Sequence, residues 1–368
     1  MTVRSGNGDE QSPSGRRIRA GIIGLSWIGA DRAGAASLPV LGTAPPYSHA
    51  STFEAIGGID VVAVCDLSKR AVDEFRRRWA SVWPHTMTFT DVDDMLQHEL
   101  DLVSVVVPDH LHGDMIRRCL DAGVRIIFGE KPFTTDLTEA DELLRLIEAA
   151  GATVAVNHTW RWRPEVVEAL AIIRSGSLGP VSHVTIEAGG PRAMLFRNLS
   201  HFLDVAVHLA DSTPTWVSAE LEDADDYGLS YRGDGGTDPQ LDPGATALIG
   251  FDGGIRAYVS GCKRSSADVL ISVACREGRI IIDALGARVI ETRRASDGTP
   301  GSVSRPVVSP LGPRFTVTGM RAGVEDLIDA HRRGREPSGS ARSARTTVAL
   351  IDAVLRSHAA GGGRVAVS

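Results

Sequence analysis

Ile126, Ile127 and Phe128 form a short apolar run that ends at Gly129 and passes straight into Glu130, Lys131 and Pro132. A charged pair at the carboxyl end of a buried strand is costly unless it has partners or a task. In open parallel α/β sheets that end is where ligands bind. Pro132 biases the residue before it toward extended geometry, so the direction of Lys131 is set. A second grouping, Gly24-Leu25-Ser26-Trp27-Ile28-Gly29, follows the apolar run IRAGIIG. It is a G-x-S-x-x-G variant of the dinucleotide fingerprint, whose physics is a tight turn and a close backbone approach to a pyrophosphate. Ser26 is small enough for that approach and adds a hydroxyl donor. Asp66 ends the apolar run IDVVAVC. A carboxylate there can accept from an adenosine ribose and repel a 2′-phosphate, which favours NAD; Lys69 and Arg70 keep NADP open. Pro108 ends a further apolar run, LVSVVV, and His112 falls in the first turn of the helix that follows. Each grouping also has a plain structural reading, a strand end or a glycine-rich turn without a ligand.

The elements that must hold these groups follow from hydrophobic period. Strands are expected at Ile18–Gly24, Ile59–Cys65, Leu102–Val107, around Ile126–Phe128, and at Thr153–Val156. Helices alternate with them, at Ala50–Ile56, Ala71–Trp79, from His112 to Ala122, and at Leu137–Ala149. That alternation predicts a doubly wound parallel sheet over residues 18–157. The spacing from the glycines to Asp66 exceeds the usual ~20 residues, and the Pro-rich stretch Ala30–His49 accounts for the excess as an inserted loop, either a lid or plain surface. After Asn157 the pattern changes. Alternating runs at Val181–Ala188, Thr215–Leu221, Ala245–Phe251, Ile255–Ser260, Val269–Ala274 and Arg279–Asp283 predict a large, open, mostly antiparallel sheet over residues 158–340. A helix is expected near Asn198–Ala210. Asp223–Pro243 reads as an exposed loop and Glu291–Pro313 as irregular. Helices at Met320–Arg333 and Thr346–Ala359 close the chain, the last packing back on the first domain within residues 341–368. Residues 1–17 read as a disordered tail.

The 368 residues, 43% hydrophobic and 23% charged, suit two ordinary globular domains. A net charge of −7 with no dense basic tract argues against nucleic acid. No apolar run is long enough to span a membrane. Cys65, Cys119, Cys262 and Cys275 lie far apart, with neither metal-ligand spacing nor a disulfide framework, which points to reduced thiols, a cytoplasmic protein and no metal.

In this order the features resemble the Gfo/Idh/MocA (glucose–fructose oxidoreductase / inositol dehydrogenase) oxidoreductases. The resemblance is carried by GIIGLSWIG (Gly21–Gly29), VVAVCDLSKRA (Val61–Ala71), VVVPDHLHGDM (Val105–Met115), AGVRIIFGEKPF (Ala122–Phe133) and NHTWRWRP (Asn157–Pro164). It implies a Rossmann domain plus an α/β domain whose open sheet forms a homodimer or homotetramer interface. It implies NAD, contacted by Gly24, Ser26, Trp27, Ile28, Asp66, Pro108, His112, Glu130 and Lys131, and hydride transfer at a hydroxyl-bearing carbon of a sugar, cyclitol or sugar acid. Lys131 matches the family's lysine beside nicotinamide and substrate hydroxyl, stabilising the developing alkoxide and assisting proton transfer.

The family's Asp-x-x-x-His falls on Arg197-Asn198-Leu199-Ser200-His201. His201 matches the histidine; Arg197 replaces the aspartate. The acid/base partner of His201 is then Asp204 or a residue outside this stretch. An arginine at 197 suits an anionic substrate, with Arg161 and Arg192 in support. Trp160 or Trp162 either stacks on a sugar or fills the core, and His208 is packed or at the surface. Two other functions stay open on the same fold: a redox-neutral NAD-dependent glycosidase or lyase, and a non-catalytic nucleotide sensor.

Overall fold

The computed structural model describes residues 16–32, 46–222, 241–266, 268–293, 305–311 and 319–368. The expected tail therefore lies almost wholly outside the described residues, as do most of the Ala30–His49 insertion and most of the Asp223–Pro243 loop.

Six parallel strands build the first sheet: β1 (Ile18–Ile23), β2 (Ile59–Cys65), β3 (Met87–Phe89), β4 (Leu102–Val105), β5 (Ile126–Gly129) and β6 (Thr153–Val156), in the order β3-β2-β1-β4-β5-β6. The order reverses between β1 and β4, the switch point at which doubly wound sheets open a crevice. Register then decides which side chains meet. Ile23 aligns with Cys65 and with Val105, Val105 with Gly129, and Gly129 with Val156. The next residues along the chain, Gly24, Asp66, Val106, Glu130 and Asn157, consequently form one row along the carboxyl edge.

Helices α1 (Trp27–Ala30), α2 (His49–Ile56), α3 (Lys69–Trp79), α4 (Val92–Leu96), α5 (His112–Asp121) and α6 (Leu137–Ala150) accompany this sheet. Their starts are set locally. Ser48 and Ser51 make a capping box on α2, Ser68 caps α3, and Asp136 caps α6 through the Glu139 amide. Each such cap is worth about 1 kcal/mol.

After α7 (Pro164–Ser175) comes the second sheet: β7 (Val181–Gly189), β8 (Pro214–Leu221), β9 (Ala245–Phe251), β10 (Arg256–Cys262), β11 (Leu270–Cys275), β12 (Gly278–Asp283), β13 (Gly286–Arg293), β14 (Arg305–Pro310) and β15 (Val365–Ala366). Its order is β14-β13-β12-β11-β7-β10-β9-β8-β15, antiparallel except where β10 pairs parallel with β7. One face packs on α7, on α8 (Ser200–Ala210) and on α10 (Ala341–Ala359) around Val184, Ile186, Leu203, Ile249 and Val354. The other face carries exposed Leu248, Tyr258 and Val308.

Two expectations are corrected. Within Glu291–Pro313, read as irregular, β13 extends to Arg293 and β14 spans Arg305–Pro310; an edge hairpin with one face in solvent has no continuous apolar run to announce it. Met320–Arg333, assigned to the second domain, lies in α9 (Gly319–Arg333), which packs on α2, β5 and β6 of the first. Beyond the packing on α6 of the first domain, the final helix α10 also lies against β8 and α8, because it is apolar around much of its circumference.

Candidate active site

The row at the carboxyl edge begins with the glycine turn. Gly24 has φ +94°, and a Cβ there would run into the Val106 carbonyl; a Cβ on Gly29 would run into the carbonyl of Gly24. Both places therefore need glycine. Asp66 ties this turn to β2, one carboxylate oxygen accepting from Leu25 N and the other from Ser68 N, each at 2.8 Å. Each oxygen keeps a lone pair for a ligand hydroxyl. Ser26 is the N-cap of α1, but its hydroxyl makes no cap bond. A pocket of about 230 Å³ borders the turn, lined by Leu25, Ser26, Trp27, Phe75 and Arg78 among others. A close backbone approach, a carboxylate at the end of β2 and an adjoining pocket fit a dinucleotide, with the Asp66 charge set against a 2′-phosphate. A larger cleft of about 400 Å³ lies at the opposite end of the sheet, between Ile18, Ile126 and Ile328, away from these groups.

Glu130 is the hub of the next cluster. Its Oε1 accepts from Asn157 Nδ2 at 2.6 Å and faces His49 Nε2 at 3.1 Å, while His49 Nδ1 lies 2.6 Å from Ser104 Oγ. Burial opposes ionisation of Glu130, yet the hydrogen bond and field of His49, the Lys131 ammonium and the Asn157 amide outweigh it and hold the carboxyl at about 2. Lys131, joined to Pro132 by a cis peptide, donates from Nζ to the carbonyl oxygen of Arg197. Burial pushes its ammonium below the usual lysine range, and Arg192 adds to this; Glu130, Asp242 and Asp109 act the other way.

From the second domain, Arg197 lies just before α8, and the ring of His201, in its first turn, meets His158 edge-on at 5.8 Å. Its buried Nδ1 has no hydrogen-bond partner among the described residues. Burial, Lys131 and His158 all push the imidazole well below its ordinary value, so it is neutral at physiological pH. Burial likewise takes His158 to about 4, against the pull of Asp204.

Several sequence assignments change. Asp204 is not the partner of His201: Arg161 holds it in a buried bidentate pair, Nε to Oδ2 at 2.6 Å and Nη2 to Oδ1 at 2.8 Å. The two carry side-chain exposures of 5% and 0%, so Arg161 and Asp204 are buried against each other. His208, with Nδ1 2.9 Å from Arg161 Nη1, is packed into the same cluster. Trp160 is core, 5.1 Å from the Phe202 ring and under the Arg163 guanidinium, and Trp162 packs on Gly323 and Gly339. His112 faces the Pro132 and Val107 carbonyls with its two nitrogens; burial keeps the ring neutral, so it donates to one of them and braces the strand-end loops. Arg197 keeps its place at the site, but its Nε lies 3.8 Å from Asp109 Oδ2, so its charge is already countered.

Sequence reasoning missed His49, Asn157, Asp109 and Asp242. The Ser48–Ser51 capping box marks the start of α2 and so locates His49, and Asn157 follows the last parallel strand just as Glu130 follows β5. Asp242 carries no such local signal.

Residues 18–158 match the model of an oxidoreductase family with an NAD-binding Rossmann fold, GFO_IDH_MocA. An uncharacterized oxidoreductase of Schizosaccharomyces pombe is 30% identical over 191 residues, 47% of this chain and 51% of that protein, so this chain spans about half its length. The scyllo-inositol 2-dehydrogenase (NAD(+)) of Bacillus subtilis is 26% identical over 73% of this chain and 75% of that protein. Among solved structures, the aldose-aldose oxidoreductase of Caulobacter crescentus, complexed with glycerol, has a TM-score of 0.73 at 18% identity, over 95% of this chain and 100% of that one; that likeness is one of fold.

Proposed function

We propose that the chain, whose residues 18–158 match the NAD-binding Rossmann model of the GFO_IDH_MocA oxidoreductases, is a member of that family and an NAD-dependent dehydrogenase acting on a hydroxyl-bearing carbon of a neutral sugar or cyclitol. The observation that carries this reading is Lys131: a buried ammonium at the carboxyl end of β5, shifted below its usual range and in contact with the residue-197 carbonyl from the other domain. Bound nicotinamide supplies the hydride acceptor. Gly24, Ser26 and Asp66 hold the dinucleotide. Lys131 Nζ donates to the substrate oxygen and stabilises negative charge as it develops there. The neutral imidazole of His201 takes the hydroxyl proton. Glu130, ionised and fixed by His49 and Asn157, sets the field around the lysine.

A neutral substrate is favoured because two of the three arginines suited to a carboxylate are engaged, Arg161 by Asp204 and Arg197 by Asp109, while the third, Arg192, is exposed and acts on Lys131. The exposed apolar positions on the second sheet, Leu248, Tyr258 and Val308, support a homo-oligomer through that face. The free state of all four cysteines supports a cytoplasmic, reducing setting. The test is NADH formation at 340 nm with myo-inositol, scyllo-inositol, aldoses and their sugar acids, with NAD and NADP in turn. Reduction of NAD by a neutral polyol supports the reading. Tight NADH binding without reduction by any of them overturns it and favours redox-neutral chemistry.

A further inference from the structure

Asp242 is a fully buried carboxylate that the mechanism above does not use. It lies just before β9, in a stretch that composition assigns to an exposed loop. Its Oδ1 accepts from Phe196 N at 3.0 Å and its Oδ2 from Arg197 N at 3.2 Å, and Leu195 N donates to Pro243 O at 2.7 Å. Three bonds thus clamp residues 195–197 to residues 242–243. The carbonyl of that same residue 197 receives the Lys131 ammonium.

The carboxylate sets one oxygen on each of two consecutive amides, which the single side-chain oxygen of Ser or Asn does not, and it does so by placing an ionisable group out of water. Burial raises the Asp242 carboxyl to about 6; the Phe196 and Arg197 amides and the Arg197 guanidinium restrain it, and Asp109 adds to the rise. Lys131 responds in turn to Asp242, as it does to Glu130, Asp109 and Arg192. The same carboxylate thus holds the 195–197 turn and acts on the Lys131 ammonium that this turn receives.

We infer that Asp242 is the positioning residue of Lys131: it holds the turn that presents the Arg197 carbonyl to the ammonium, and it supplies from the β8–β9 connection the carboxylate that position 197 lacks. Its consequence for turnover rests on the dehydrogenase reading; its electrostatic content does not.

Lys69, Lys131 and Lys263 are the only lysines of the chain, which makes the lysine titration readable residue by residue. The full-length protein is reductively methylated with ¹³C-formaldehyde and titrated by NMR, with Lys131→Met assigning the Lys131 signal. In Asp242→Asn the Lys131 midpoint falls by about half a pH unit or more, since an opposing charge is lost, while Lys69 and Lys263 stay in place. Asp242→Glu restores most of the shift. With a substrate in hand, kcat in Asp242→Asn falls about 10- to 100-fold, the scale set by misplacing a reacting group, at unchanged NADH affinity. A Lys131 midpoint that moves no more than those of Lys69 and Lys263 overturns the inference. Should Asp242→Asn fail to fold, the reciprocal measurement decides: in Lys131→Met the Asp242 carboxyl, followed by ¹³C NMR, titrates higher than in the parent protein, and an unmoved midpoint overturns the inference. Absence of NADH formation by the parent protein with every polyol removes the dehydrogenase reading but leaves the lysine titration to decide the role of Asp242.

Discussion

Lys131 and Arg197 meet through a side chain and a backbone: the lysine ammonium donates to the arginine's carbonyl oxygen. Lys131 follows β5 in the first domain and Arg197 precedes α8 in the second, so this bond spans the site from both sides. The family pattern sets an aspartate side chain at position 197. Here the position contributes its main chain to the lysine and turns its guanidinium toward Asp109.

Lys131→Met removes the donor to the substrate oxygen and leaves the glycine turn intact. Steady-state kcat with the preferred polyol should fall about 10²- to 10⁴-fold. NADH binding, read by fluorescence titration, should change only a few-fold; parent-like turnover in this variant refutes the role given to the lysine.

Asp66→Ala removes the acceptor of both Leu25 N and Ser68 N, and with it the negative charge at the end of β2. Calorimetry should show NAD binding weakened about tenfold, one hydrogen-bonded contact's worth. NADP binding should weaken less, or improve, so the ratio of the two constants is the diagnostic quantity.

Arg161→Met leaves Asp204 charged and buried with its main partner gone. Breaking a buried pair from one side costs about 3–5 kcal/mol. Urea unfolding should show that loss, and Arg161→Met combined with Asp204→Leu should recover much of it. Equal stabilities of the single variant and the parent would exclude the buried pair.

Glu130 links stability to pH. Its folded carboxyl, at about 2, lies below its ordinary 4.5. A depressed carboxyl contributes stability that is present above the unfolded value and lost as pH falls toward the folded one. That contribution, about 3 kcal/mol at neutral pH, should disappear between about pH 4.5 and 2, and Glu130→Gln should flatten the unfolding curve in that window. His49→Ala, which removes the first-ranked restraint on the carboxyl, should move the loss to higher pH.

How much of this was legible from the residues varies by element. Gly24, Asp66 and Glu130 were readable because each directly follows an apolar strand, and parallel register alone brings strand ends together. Lys131 was readable from its place beside Glu130. The Arg161–Asp204 pair was not, because its partners stand 43 residues apart and nothing in either neighbourhood names the other. His112 shows a related limit: its position at the head of α5 is visible in the sequence, but the Pro132 and Val107 carbonyls that face its ring are not. The β13–β14 hairpin is hard to read because edge strand β14 carries Pro306 and Pro310, which sequence patterns read as breaks.

By itself the sequence determined two sheets, the row of groups at the first sheet's carboxyl edge, and the glycine turn, since these depend on local period, strand termini and backbone sterics. Only the tertiary structure decided which charges are spent on one another and which remain for chemistry. Arg161 and Asp204 neutralise each other in the core, Asp109 meets Arg197, and Asp242 comes in from a distant connection to stand behind Lys131. The physical reason is that burial makes an unpaired charge expensive, so partners are chosen by proximity in the folded chain and leave no trace in sequence spacing.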